Sequence, residues 1–171
     1  MMSITIPEGV MALGLNAFDF CYGIKNVSLP STLKSVAAYA FSNCAALNEI
    51  TFPNTFETFG DHTFYNDTAL QKFIIPSSVT AIPASMFEKC NSLSVIEIPS
   101  GITLIDEKAF SECYGLSYIK FKGTIPPTVV NSNAWNNLPT DCVIYVPAGT
   151  LSDYTSEQNY PDSNTYSYIE Y

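Results

Sequence analysis

The chain has 171 residues, with 7 Lys+Arg, all of them Lys, against 16 Asp+Glu, for a formal net charge of −9. Apolar residues make up 47% and charged residues only 13%, which excludes an acidic disordered chain, since disorder needs high charge and low hydrophobicity. A net-acidic chain without arginine is also a poor match for a phosphate backbone, so no nucleic-acid partner is expected.

The first segment, Met1-Met2-Ser3-Ile4-Thr5-Ile6-Pro7, has neither a basic start nor a long apolar run, so no secretory signal is expected within the sequence as given. No stretch approaches the roughly 18 apolar residues of a membrane-spanning helix, so no membrane span is expected. From there a period of 23 residues dominates. Proline recurs at Pro7, Pro30, Pro53, Pro76 and Pro99, and phenylalanine at Phe18, Phe41, Phe64, Phe87 and Phe110. Apolar positions keep the same step: Ile24, Leu47, Leu70, Leu93, Leu116, then Val27, Ile50, Phe73, Ile96, Ile119, then Leu29, Phe52, Ile75, Ile98, Phe121. After each proline come the pairs Val10/Leu13, Leu33/Val36, Phe56/Phe59, Val79/Ile82 and Ile102/Ile105.

In each unit the alternation seen in Ser94-Val95-Ile96-Glu97-Ile98 predicts a short strand with Ile96 and Ile98 inward. Pro99 lacks an N–H and ends that strand. The pair after the proline fits a short extended or irregular return, and Ala109-Phe110-Ser111-Glu112-Cys113 predicts a single helical or 3₁₀ turn carrying Phe inward. One such unit cannot bury its own core, but stacked copies at about 4.8 Å per strand can, giving a solenoid with a parallel sheet on one face, roughly 25 Å long.

The Ile-x-Ile-Pro and Ala-Phe-x-x-Cys signatures at this period resemble the BspA-like leucine-rich repeats of bacterial surface proteins. Residues 1–121 are expected to form five repeats, the first incomplete. The resemblance implies a right-handed leucine-rich-repeat coil. It also implies an extracellular or cell-surface location and non-enzymatic adhesion to host or bacterial surface proteins. Met86 and Thr63 stand where Ala precedes Phe in other units, and Asp67 stands where Cys is expected.

From Lys122 the period fails. Ala134-Trp135 takes the Ala-Phe role at a spacing of 25, and Val143-Ile144-Tyr145-Val146 predicts one more strand before Pro147. Leu151–Tyr171 holds five Tyr and four acidic residues. Residues 122–171 are therefore read as a C-terminal cap, with Tyr rings over the last coil and their hydroxyls in water. The N-terminal end shows no equivalent, leaving Ile4, Ile6, Val10 and Leu13 beside an open edge and raising the expectation of self-association there.

Candidate chemistry is sparse. Cys21, Cys44, Cys90 and Cys113 share one coil position and are read as packed free thiols, with Cys21–Cys44 and Cys90–Cys113 disulfides as one alternative and metal binding as another. Cys142 lies outside the series. No Cys-x-x-Cys occurs, and the single histidine, His62, falls at a variable position read as surface, so neither a zinc site nor a nucleophilic triad is expected. No cofactor is expected, and no Gly-rich phosphate loop occurs. Glu49 and Glu97, two coils apart, are the only candidates for a paired-carboxylate glycosidase, and nothing in the pattern implies a cleft between them.

Outward strand positions form two rows, Asn26, Glu49, Lys72, Val95, Tyr118 and Ser28, Thr51, Ile74, Glu97, Lys120. Glu49–Lys72 and Glu97–Lys120 are expected cross-strand ion pairs. Glu49, Lys72, Ile74, Val95, Glu97, Tyr118 and Lys120 are the candidate protein-binding patch, with ordinary strand-surface variation as the bland alternative. A spacer without a ligand and a carbohydrate-binding module are the competing functions; the second is disfavoured because the rows offer Tyr118 as their only aromatic.

Overall fold

The computed structural model describes residues 2–171. They form a parallel-strand solenoid of about seven turns with almost no helix. One side carries β1 (Met2–Thr5), β3 (Ile24–Ser28), β5 (Glu49–Ile50), β7 (Lys72–Phe73), β9 (Val95–Ile98), β11 (Tyr118–Phe121), β13 (Val143–Val146) and β14 (Ser167–Glu170). The strands from β5 to β14 form one sheet, beside the β1–β3 pair. Pairing is parallel and in the register of the repeat, Tyr118 opposite Val95 and Glu97 opposite Lys120. Inward side chains such as Ile96, Ile98 and Ile119 are buried, as the alternation requires.

The return after each proline is more regular than expected. Two-residue strands β2 (Ala12–Leu13), β4 (Ser35–Val36), β6 (Thr58–Phe59), β8 (Ala81–Ile82), β10 (Leu104–Ile105) and β12 (Thr128–Val129) form two further parallel ladders, β2-β4-β6 and β8-β10-β12. Gly60, next to β6, is needed for this packing, since a Cβ there would lie 2.3 Å from the Ala38 nitrogen.

The third side differs from the predicted helical turn. In the first five coils the Ala-Phe-x-x-Cys stretch is a run of turns, and among the described residues the 3₁₀ helix occurs only at Ser132–Trp135. The N–H groups of Asn16, Phe18 and Phe20 donate to the Ala38, Ala40 and Ser42 carbonyls of the next coil, at 3.1, 2.8 and 3.0 Å. The alternating N–H groups of Ala17, Asp19 and Cys21 donate back to Gly14, Asn16 and Phe18 in their own coil. To sustain that alternation each coil places two residues at positive φ: Asn16 and Phe20, Tyr39 and Asn43, His62 and Asn66, Ser85 and Lys89, Lys108 and Glu112. Left-handed backbone is costly for most of these side chains, and the bonds to the neighbouring coil offset it. A helical turn would have kept its hydrogen bonds local and left the coils unjoined on this side.

The core is an aromatic stack. Phe18, Phe41, Phe64, Phe87, Phe110 and Trp135 lie ring on ring, with successive centroids 5.3, 5.7, 5.9, 5.5 and 5.4 Å apart and interplanar angles of 14° or less. Trp135 thus holds the Phe place despite its shifted spacing. Beside the stack the cysteines are free thiols. Cys44, Cys90 and Cys113 donate Sγ–H to the carbonyls of Phe18, Phe64 and Phe87 at 3.2, 3.1 and 3.0 Å, which occupies the thiols without disulfides. Burial pushes all three thiols up, and Cys142 is pushed up to about 12.

At the C-terminal end α1 (Leu151–Ser156) and β14 close the coil. Tyr154 and Tyr160 are buried, Tyr166 and Tyr168 pack partly buried against the core, and Tyr171 stays exposed; their hydroxyls, expected in water, are bound to the backbone instead. Tyr154, Tyr160, Tyr166, Tyr168 and Tyr171 donate to the carbonyls of Gly123, Pro127, Leu138, Pro161 and Phe121 at 2.6, 2.7, 3.3, 2.9 and 3.0 Å. The reason is visible at Phe121. One coil earlier the Lys122 N–H donates to Ile98, but Pro147 now occupies that place and has no N–H, so the Tyr171 hydroxyl supplies the bond. In the first coil Met11, Leu15, Phe20 and Tyr22 are exposed, Ile4, Ile6 and Val10 are half-buried and Leu13 is buried. The Leu15, Ala17 and Asp19 carbonyls, equivalent to acceptors in later coils, receive no backbone hydrogen bond among the described residues.

Candidate interaction surface

The two outward rows form as the alternation dictates: Glu49 pairs in register with Lys72, Lys72 with Val95, Val95 with Tyr118, and Glu97 with Lys120. The cap extends them, adding Val143 and Ser167 to one row and Tyr145 and Ile169 to the other. Five of the candidate residues, Lys72, Ile74, Val95, Glu97 and Tyr118, line one depression of about 370 Å³, with Lys122 on its rim. Ile74 is 60% exposed in a row whose neighbours are Thr51 and Glu97.

Glu49 and Lys120 lie outside that depression. Glu49 lines a separate one of about 610 Å³ with Glu8, Asn26 and Ser28, so the two carboxylates weighed as a glycosidase pair face different hollows. Lys120 borders a third, of about 300 Å³, with Tyr118, Tyr145 and Tyr171.

Neither expected ion pair is present among the described residues. Glu97 bonds Lys122 at 2.6 Å instead of Lys120, because the Lys120 ammonium sits 3.7 Å from the Tyr171 ring centroid. That cation–π contact holds Lys120 over the cap. Glu49 and Lys72 remain register neighbours without an ion pair, and the other pair among the described residues is Lys34–Glu57 at 2.9 Å. Both pairs are solvated, so each contributes little stability. Tyr145 and Tyr171 were missed from sequence as members of this face. The spacing of Tyr145, 25 residues after Lys120, follows the same shift as Ala134-Trp135 and could have shown it.

His62 is half-buried instead of lying free on the surface: its ring stacks on Tyr39 at 4.5 Å and 15°, and its buried Nδ1 has no partner. Among the described residues no group of three or more His, Cys, Asp or Glu side chains is arranged to hold a metal ion. No helix among them is long and apolar enough to cross a membrane.

With the coil and its faces described, comparison with known proteins decides the family. The model for the BspA type leucine rich repeat region matches residues 1–139 in six copies. The chain belongs to that BspA-type family. Its repeats occur in bacterial surface proteins, and the family and fold are typically non-enzymatic. Three solved structures are similar in fold. The leucine-rich-repeat protein of T. pallidum is 22% identical with a TM-score of 0.67, covering 94% of this chain and 65% of its own. The pneumococcal vaccine antigen PcpA is 20% identical with a TM-score of 0.81, covering 99% and 41%. A leucine-rich cell-surface protein from Faecalibacterium prausnitzii is 24% identical with a TM-score of 0.53, covering 92% and 62%. The BspA-type chain therefore spans less than two thirds of the length of these structures. None of the curated proteins compared with it matches.

Proposed function

We infer that this BspA-type chain is an extracellular or cell-surface interaction module that binds host or bacterial surface proteins through its sheet face, without catalysis. The observation that carries this is the convergence of Lys72, Ile74, Val95, Glu97 and Tyr118 around one hollow, with an exposed isoleucine at its edge. Apolar side chains rimmed by charge, on a sheet made rigid by ladders on the other sides, are what a protein partner can use for anchoring and specificity. The F. prausnitzii neighbour, described as a cell-surface protein, supports the location.

The test is binding of purified surface and matrix proteins to the immobilised chain, comparing wild type with Ile74→Ala/Val95→Ala/Tyr118→Ala and with a control substitution, Thr58→Ala, on the β2–β6 side. Loss of at least tenfold in affinity in the face variant alone supports the reading; equal binding by all three sinks it. A ligand-free spacer is the second reading, favoured by the unbroken ring stack, and it predicts no binding by any variant. The exposed Met11, Leu15, Phe20 and Tyr22 of the first coil support a further proposal, self-association through that coil. Sedimentation velocity showing only monomer at high concentration would count against it.

A further inference from the structure

The turn side of the first three coils carries a second, chemically different site. Leu15, Asp19, Phe20, Tyr39, Asn43 and Tyr65 line a shallow cleft of about 460 Å³, within the size range of small-molecule sites. Phe20 is 57% exposed and sits at φ +57°, and Tyr39 also sits at φ +57°. Equivalent places in other coils hold Asn16, Asn43 and Asn66 but also His62, Ser85, Lys89, Lys108 and Glu112, so Phe20 and Tyr39 set their rings on a backbone conformation that all five coils share.

The rings continue across the coils, since Tyr39 and Tyr65 flank His62 with centroids 4.5 and 5.7 Å away. Beside them runs an amide ladder. Asn66 Nδ2 donates to Asn43 Oδ1 at 2.9 Å, and Asn43 Nδ2 donates to Asp19 Oδ1 at 3.1 Å and to Ser42 Oγ at 2.8 Å. Asn43 is therefore held in one orientation. Asp19 presents a carboxylate oriented by one oxygen, and no lysine lines the cleft. An anionic ligand is disfavoured by Asp19, and a plain hydrocarbon would leave its carboxylate without a partner.

We propose that this cleft binds a neutral glycan, its sugar rings laid along the solenoid axis. Pyranose C–H faces pack on the exposed Phe20 ring and on the Tyr39 face turned away from His62, with Tyr65 beside them carrying the Lys89 ammonium 5.2 Å from its ring centroid, while sugar hydroxyls donate to Asp19. Coils repeat at about 4.8 Å, close to the length of one residue in an extended β-linked glycan, so successive sugars meet successive rungs. The cleft lies on the turn side and shares no lining residue with the hollow on the sheet face.

The repeat supplies its own conservative variants. Phe20→Asn, Tyr39→Asn and Tyr65→Ser install residue types that other coils carry at the same positions, and the two Asn changes relieve left-handed strain. Native gels containing soluble β-glucan, galactomannan or mannan are run with wild type, with the triple variant, with Asp19→Ala and with Tyr118→Ala from the sheet face. Retardation of wild type and Tyr118→Ala by at least one glycan, reduced at least tenfold in the triple variant and in Asp19→Ala, is the expected result. The proposal is overturned by no retardation in any gel, by retardation the triple variant keeps, or by loss in Tyr118→Ala instead.

Discussion

Replacing Asp67 with cysteine restores the side chain that the repeat places between Cys44 and Cys90, and it should stabilise the coil. Asp67 is fully buried. Its Oδ1 accepts the Cys44 N–H at 2.7 Å, while its Oδ2 has no partner. An unsatisfied buried polar atom costs roughly 1–3 kcal/mol. The new thiol at 67 would face the Phe41 carbonyl, 26 residues earlier, as Cys44, Cys90 and Cys113 face Phe18, Phe64 and Phe87. The Cys44 N–H keeps a second acceptor, the Phe41 carbonyl at 3.3 Å. A net gain of about 1–2 kcal/mol follows, raising Tm by roughly 3–6 °C for a chain of this length.

The gain depends on pH with a definite sign. Burial, the largest cause, raises the Asp67 carboxyl well above the usual carboxylate range; the Cys44 N–H opposes this and the Asp19 charge adds to it. The folded chain therefore holds a proton that the unfolded chain releases above about pH 4. Wild type loses stability as pH rises from there toward the folded pKa, and the variant does not. Thermal unfolding followed by circular dichroism should show a larger increment at about pH 8 than at about pH 5. A lower Tm for Asp67→Cys, or an increment indifferent to pH, would refute the reasoning.

Other outcomes follow from the same packing. Phe64→Ala removes the third ring of the stack and its edge contacts with Phe52 and Phe73, and should cost about 3–5 kcal/mol in denaturant unfolding. Tyr160→Phe leaves the Pro127 carbonyl without its 2.7 Å donor; a loss of about 1–3 kcal/mol, with faster amide exchange confined to the cap, is expected. Reaction with an aromatic disulfide reagent near neutral pH should modify half-exposed Cys21 rapidly and the buried, pKa-raised Cys44, Cys90 and Cys113 only on unfolding. Comparable rates at all of them would contradict the thiol-to-carbonyl bonds.

The strict period made the strands, their inward faces, the outward rows and the Phe column legible, because each depends on one residue type recurring in one place. What was not legible depended on partners far off in sequence or off the period. The left-handed turn side is one case: its strain at Tyr39 and His62 is tolerated only through bonds to the next coil, at Asp61 and Ala84, and local propensity favours a helical turn there. Glu97 is another. Alternation along the strand points it at Lys120, whereas Tyr171, 51 residues downstream, takes Lys120 and leaves Glu97 to off-row Lys122. The cap hydroxyls belong to the same class, since only the missing donor at Pro147 explains the role of Tyr171. Among the candidate site residues, five of seven meet at one hollow because β7, β9 and β11 are adjacent in the sheet; Glu49 falls outside because it stands on β5, and Lys120, although on β11 with Tyr118, is held over the Tyr171 ring.

The most direct test of the central claim is amide hydrogen exchange on a complex of the chain with a surface protein that it binds. The account predicts added protection in and beside β7, β9 and β11, around Lys72, Ile74, Val95 and Tyr118, with the β2–β6 side unchanged. Protection confined to the β2–β6 side or to the Tyr-covered C-terminal end would contradict it.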